Sequence, residues 1–514
     1  MPEAADRKER CHLVKVIRRE ALYIPIKDIT PKQQEAIKDK LTFHFFGKEK
    51  LCEECDFFAE RVSDVCERCA NYKGSYKLAR SIKINERRFM KIPVGSGFQV
   101  LRDLNLSITK LIDKSPDRPL KRKIKFTGEF REGQRECIDA MHRMRRGVLE
   151  APPRSGKTVM GTAFVCELGQ KTLILASQRD WLMGFKETFI GSKTQAALTN
   201  LDPTRIKLCK TLQDFKDHDI CLATIQTFYS EGGEKILAKI RSMFGAILID
   251  EVHTSAADKY AGILAKLNSA CAIGFSGTPD RKDGKYTLVD NILGKVFHEM
   301  KVERERPTIK LTKTRYSKVY KGQVLWTRMV SALENDKKRI DDIAKQALRD
   351  VAEGHMILIP MAQVKPVKTL IRRINELAGK KLAYEFSGGL KKADRDRYIE
   401  AARNYKIKVL VGTQKVLSVG INIPRASMLY ECVLSSNMPN AQQRFARVLT
   451  PMKNKPKPCI RYFLDDVGVR KSCMRAEWFQ AMAPVFNPII SDQTKRMLMQ
   501  YFSSSSSNVQ KFDL

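Results

Sequence analysis

Gly147-Val-Leu-Glu150-Ala151-Pro-Pro-Arg-Ser155-Gly156-Lys157-Thr158 joins a short apolar run to a turn, and the turn to a helical stretch that continues to Leu168. From Ala151 onward it has the spacing of a phosphate-binding loop, with Ala where the generic form has its first Gly. Such a loop wraps phosphates in backbone N–H groups at a helix N-terminus. Ser155 and Gly156 shape the turn, and Gly156 allows close approach. Lys157 supplies charge at the β- and γ-phosphates, and the Thr158 hydroxyl is a Mg²⁺ ligand. The context the motif requires, a strand before and a helix after, belongs to a parallel α/β sheet.

A second apolar run ends in acids: Phe244-Gly-Ala-Ile-Leu-Ile-Asp250-Glu251-Val252-His253. A parallel sheet presents its carboxyl edge to ligands, so these acids belong beside the loop. Asp250 is the candidate Mg²⁺ holder, and Glu251 the group that orients and deprotonates an attacking water.

Working outward, Lys171–Ser177, Ile220–Thr224, Ala246–Asp250 and Ala272–Ser276 read as buried strands. Met356–Pro360, Lys408–Gly412, Ala426–Cys432 and Ile460–Asp466 repeat the theme. Strands alternating with helical stretches predict an α/β fold with parallel sheets, built twice. Residues Met300–Gly354, poor in strand-like sequence, read as a linker with a leading helix.

The 514 residues suit about three domains at roughly 100–200 residues each. With 43% apolar residues, neither a single small module nor full disorder fits. The polar start and the lack of a long apolar run lead to the expectation of a soluble intracellular protein with no membrane partner. A formal charge of +36 implies a polyanionic partner, nucleic acid first. The excess is local. Residues 71–125 carry 15 basic and 4 acidic side chains, whereas residues 1–70 carry 14 of each. Such a stripe can contact phosphates and release counterions.

Of 13 cysteines, four form two tight pairs, Cys52 with Cys55 and Cys66 with Cys69. Two C-x₂-C knuckles aim four thiolates at one point, which suits a closed, structural tetrahedral Zn²⁺ site; an iron–sulfur cluster and free thiols are the alternatives. The expected layout is a Cys-rich N-terminal region over residues 1–72 with its zinc module at 52–69. A basic linker or nucleic-acid-binding segment follows over 73–125. The first α/β domain spans 126–300, a linker 301–353, the second α/β domain 354–480 and a tail 481–514.

Together the motifs make the chain resemble a superfamily 2 helicase of the DExH type, over about Phe130 to Asp466. Asp250-Glu-Val-His253 is the acidic-box form of eukaryotic excision-repair and transcription-factor helicases, and the compact layout also resembles branch-migration and recombination helicases of large phages. The resemblance implies two tandem RecA-like domains, ATP and Mg²⁺ as cofactors, and nucleic acid, DNA foremost, as partner. It implies that Gln134 reads adenine and that Arg179, Thr224, Gln226 and Thr413 touch the nucleic-acid backbone. His253, Ser276, Thr278 and Gln443 would couple nucleotide to strand. Gly420 and the arginines Arg444 and Arg447 would face the nucleotide, Arg447 stabilising charge on the γ-phosphate. Three departures stand out: Gly277 for the usual Ala, Asn422 for Asp, and Thr450 where a second arginine is usual. Arg444 or Lys453 then substitutes, or hydrolysis is slower than in relatives. The implied activity is an ATP-dependent DNA helicase or translocase in repair, recombination or replication. An RNA helicase or transcript-release factor, and a nucleic-acid-binding protein with a dead ATPase, are the competing readings.

Overall fold

A computed structural model describes residues 12–46, 72–152, 155–192, 195–230, 232–252, 257–277, 286–301, 305–318, 326–390, 392–418, 423–432, 444–466 and 488–503. The chain divides into two compact units, Met1–Val302 and Glu303–Leu514.

The first unit opens with strands β1 (His12–Arg18), β2 (Ala21–Pro25), β3 (Thr42–Phe46), β4 (Tyr72–Lys77), β5 (Arg80–Ile84), β6 (Arg87–Pro93) and β7 (Leu106–Asp113). Five of them form a sheet in the order β5-β6-β2-β1-β7, and β3 pairs with β4 as a separate ribbon. Of residues 73–125, expected as a basic linker or nucleic-acid-binding segment, the stretch as far as Asp113 is strands β4–β7 and the helix Val94–Asp103. Its charge hid the pattern, because in Arg87-Arg-Phe-Met-Lys-Ile-Pro93 the exposed Arg87 and Arg88 and the half-buried Lys91 break up the run from which Met90 and Ile92 enter the core. The helix Pro31–Lys40 starts in a capping box, Thr30 accepting from the Gln33 backbone and Gln33 returning the bond.

Strands β8 (Arg146–Glu150), β9 (Thr172–Ala176), β10 (Ile206–Leu208), β11 (Ile220–Thr224), β12 (Ala246–Ile249), β13 (Cys271–Ser276) and β14 (Val296–Glu299) follow. They make a wholly parallel sheet in the order β10-β11-β9-β12-β13-β8-β14. Its central strands are buried on both faces, which is why they read as unbroken apolar runs. Phe164, Phe185, Phe189 and Phe275 fill one core layer. Phe215, Phe228 and Phe244 fill the other.

The N-terminal sheet docks on this one at its amino edge. Arg18 donates to the Ala270 carbonyl at 3.1 Å, and Asn268 to that of Lys114 at 3.0 Å, both just ahead of β13. Arg241, ahead of β12, pairs with the buried Glu20. Gly95 lies so close to Gly294 and Asn291 that a Cβ there would stand 2.5 Å from a backbone nitrogen.

The second unit is a parallel sheet of β15 (Thr308–Ser317), β16 (Ile357–Met361), β17 (Ala383–Phe386), β18 (Val409–Thr413), β19 (Met428–Glu431) and β20 (Cys459–Asp466), ordered β15-β20-β19-β16-β18-β17. Strand β15 and the helices Trp326–Asn335 and Lys337–Ala352 occupy the stretch expected as a linker over 301–353. In Thr308-Ile-Lys-Leu-Thr-Lys-Thr-Arg-Tyr-Ser317 β15 is an edge strand whose exposed side carries cations, while Ile309, Thr314 and Tyr316 turn inward. The helix Lys337–Ala352, capped by Asp336, is tied to the sheet through buried charges. Asp350 accepts both arms of Arg461 at 2.8 and 2.7 Å and the Tyr430 hydroxyl at 2.6 Å. Arg339 meets Asp465 at 2.7 Å.

Among the described residues no helix is long and apolar enough to cross a membrane.

Candidate active site

In the first unit the motif residues gather on the carboxyl edge, after β8, β13 and β12. These strands are neighbours, so the loop after β8 and the acids after β12 are brought together across β13. Strand β13 ties the two: the Ser276 carbonyl accepts from the Ala151 N–H at 2.8 Å, and the Phe275 carbonyl from that of Val252 at 3.0 Å.

The loop closes on Gly156 at φ +87°, and its helix begins at Lys157. A side chain at 156 is excluded twice, by the positive φ and by the Gln134 amide, which would lie 2.3 Å from a Cβ. Gln134 donates to the Ser155 carbonyl at 2.7 Å and accepts from the Arg131 N–H at 2.9 Å. Its amide thus braces the loop, a role the sequence reading did not give it. Thr158 follows in the first helical turn, half-buried.

Lys157 Nζ stands 2.5 Å from Glu251 Oε1, with both side chains largely buried. Glu251 sits at φ +49°, a left-handed conformation that costs a non-glycine residue energy and is frequent at functional positions. Asp250 is buried, and its Oδ1 has no hydrogen-bond partner among the described residues. Burial, and then the neighbouring Glu251 charge, push its carboxyl up to about 7 against the pull of Lys157. An orphaned buried carboxylate oxygen held near neutrality fits a divalent cation. The buried Ser155 hydroxyl is orphaned too. Among the described residues no group of three or more His, Cys, Asp or Glu side chains could hold a metal by itself.

Further along the same edge, Thr224 ends β11 and Arg179 opens the helix after β9. Thr224 Oγ1 lies 3.3 Å from Thr227 Oγ1, and Gln226 donates to the Ser177 carbonyl at 3.0 Å. Arg179 and Gln226 are exposed. Ser276 is fully buried at the end of β13. His253 and Thr278 lie outside the described residues, as do Gly420, Asn422, Gln443 and the four clustered cysteines Cys52, Cys55, Cys66 and Cys69.

In the second unit Thr413 ends β18. Arg444 is buried, and both arms of its guanidinium are taken by Glu431 at the end of β19, at 2.8 and 2.9 Å. Arg444 is thus held inside this unit as a structural fork on Glu431, a partner that the expected nucleotide contact did not include. Arg447 follows one turn later, its N–H bonded to the Arg444 carbonyl at 3.0 Å. Lys455 caps the Val448 and Thr450 carbonyls at 2.7 and 2.8 Å, while Lys453 is exposed.

Two buried acids escaped the sequence reading. Glu431 sits at the mouth of an apolar strand, a position where an acid signals a partner. Glu334, fully buried, accepts from the Ala362 and Gln363 N–H groups at 2.5 and 3.0 Å and so caps the helix Val364–Ala378 from a distance. No local signal marks it.

Residues 127–281 match the family model "Type III restriction enzyme, res subunit", and residues 339–450 match "Helicase conserved C-terminal domain". The chain is 25% identical over 337 residues to "Probable helicase D10" of Escherichia phage T5, covering 63% of this chain and 68% of that protein. It is 26% identical over 236 residues to "DNA 3'-5' translocase XPB2" of Sulfurisphaera tokodaii, covering 46% of this chain and 47% of the relative. The chain thus spans two thirds of the phage protein and under half of the archaeal one. Among solved structures, the DUF1998 helicase MrfA bound to DNA shares the fold with a TM-score of 0.52 at 14% identity, over 76% of this chain and 55% of that one.

Proposed function

We infer, from the premise that this chain belongs to the superfamily 2 helicases, that it is an ATP-dependent DNA helicase or translocase acting on duplex or branched DNA. The observation that carries this reading is the convergence of Lys157, Asp250 and Glu251 behind a glycine-closed loop on one sheet edge, with Arg179, Thr224 and Gln226 further along it.

ATP with Mg²⁺ supplies the phosphoanhydride whose cleavage drives the cycle. Lys157, the loop N–H groups and Thr158 would hold its phosphates, and Asp250 would hold the cation. Glu251 takes the proton of the attacking water, and Gln134 reads adenine while bracing the loop. Arg447 stabilises charge on the γ-phosphate. Arg179, Thr224, Gln226 and Thr413 contact the nucleic-acid backbone, which positions a strand without reading its sequence. Ser276, with His253, Thr278 and Gln443, relays nucleotide state to the strand. Cys52, Cys55, Cys66 and Cys69 hold a structural Zn²⁺.

ATPase rates across single-stranded DNA, duplex, forks, four-way junctions and RNA at one salt concentration test the reading, since affinities at unequal salt cannot be compared. Strongest stimulation by forks or junctions supports it. Stimulation by RNA alone would move the chain to the transcript-release class, and no stimulation by any nucleic acid would leave a binding protein.

A further inference from the structure

The N-terminal five-stranded sheet uses one face for its own core. Val14, Val16, Leu22, Ile24, Met90 and Ile92 point to the helices Pro31–Lys40 and Val94–Asp103. The alternate residues form the outer face, where Tyr23 and Phe89 make a small apolar centre.

Around that centre the strand register sets like charges against each other. Arg80 lies opposite Lys91 and Lys15 opposite Lys110. Like charges directly across a ladder repel and destabilise the pairing. Local acids do little to relieve this. Glu20 is shared between Lys91 and Arg241, Lys83 pairs with the turn residue Glu86, and Asp113, the acid within these strands, is taken by Arg18. Lys15, Arg80 and Lys110 are exposed, and none has an ion pair among the described residues. Two repulsive pairs on one small face make sense when a polyanion covers them.

The docking contacts place this sheet at the amino edge of the parallel sheet, whereas the phosphate loop, the acids and the predicted strand contacts occupy its carboxyl edge. The strands between are about 15–20 Å long at roughly 3.3 Å per residue. Across the N-terminal sheet, β5 and β7 stand four strand spacings apart, about 19 Å. A single strand can follow one such edge. A duplex, with phosphate rows flanking grooves about 12 and 6 Å wide, can meet cations on both.

We propose that the outer face and edges of this N-terminal sheet form a second nucleic-acid surface, which holds the phosphate backbone of a duplex apart from the track gripped at the carboxyl edge. The proposal rests on the helicase reading for the identity of the polyanion.

The test uses the full chain, a blunt DNA duplex and a single-stranded oligonucleotide. In Lys15→Gln/Arg80→Gln/Lys110→Gln, duplex affinity at low salt falls roughly 10–100-fold, and the slope of log affinity against log salt becomes shallower by about 2–3. ATPase stimulated by the single strand is unchanged, and the charge-preserving Lys15→Arg/Arg80→Lys/Lys110→Arg binds duplex normally. An unchanged slope, an equal loss in the charge-preserving variant, or an equal loss of single-strand-stimulated ATPase would each overturn the proposal. If the unmodified protein shows no stimulated ATPase while the glutamine variant still loses duplex binding, the motor reading fails and this surface stands.

Discussion

Lys157 Nζ and Glu251 Oε1 stand 2.5 Å apart, so the cation suited to phosphate and the carboxylate suited to activating water neutralise one another. Phosphate oxygens must compete with Glu251 for Lys157. Glu251→Gln removes the competitor and the base together. It should bind ATP at least as tightly as the unmodified protein while kcat falls about 10²–10⁴-fold. Lys157→Ala should lose nucleotide affinity as well. Equilibrium binding of a fluorescent nucleotide beside steady-state ATPase separates the two.

Asp250 gives a pH dependence with a definite sign. Its carboxyl is raised from an ordinary value near 4 to about 7, so the folded protein binds this proton more tightly than the unfolded chain does. The stability it contributes is complete below about pH 4 and is lost as pH rises through about 7. In metal-free buffer, Asp250→Asn should therefore be more stable than the unmodified protein at pH 8 and about equal to it at pH 4. A gap of about three pH units caps the gain at roughly 4 kcal/mol. Mg²⁺ with nucleotide should raise Tm more at pH 8 than at pH 5. Thermal unfolding across that range reads both.

The two arginines of the second unit separate stability from catalysis. Arg444 and Glu431 are buried together, and removing one leaves the other unpaired, at a cost of about 3–5 kcal/mol. Arg444→Ala should lower Tm sharply, and Arg444→Met with Glu431→Leu should recover much of the loss. Arg447→Ala should instead cut kcat by about 10³–10⁵ with a far smaller change in Tm.

Zinc at Cys52, Cys55, Cys66 and Cys69 should be released by chelation or by Cys52→Ser/Cys55→Ser. Metal analysis of the purified chain gives about one zinc per molecule if four thiolates close one tetrahedral site. The serine variant should keep basal ATPase.

The parallel sheets were legible because their central strands are buried on both faces and read as unbroken runs such as Thr172-Leu-Ile-Leu-Ala176. The phosphate loop and acids were legible because their chemistry fixes residue type and spacing within one short segment. Strands β5, β6 and β15 were missed because outward lysines and arginines interrupt their apolar faces, and charge density outweighed alternation. Arg444 carries no local sign of its ion pair. Its partner Glu431 lies 13 residues away in sequence and meets it only through the fold. The same holds for Glu334 and the N–H groups it caps.

Hydrolysis at Lys157, Asp250 and Glu251 is expected to drive motion along DNA. Displacement of a labelled strand from a forked duplex, followed with ATP and with a non-hydrolysable analogue, tests it most directly. The unmodified protein should displace the strand only with ATP, and Glu251→Gln should bind the fork yet displace nothing. Equal displacement by Glu251→Gln, or displacement with the analogue, would contradict it.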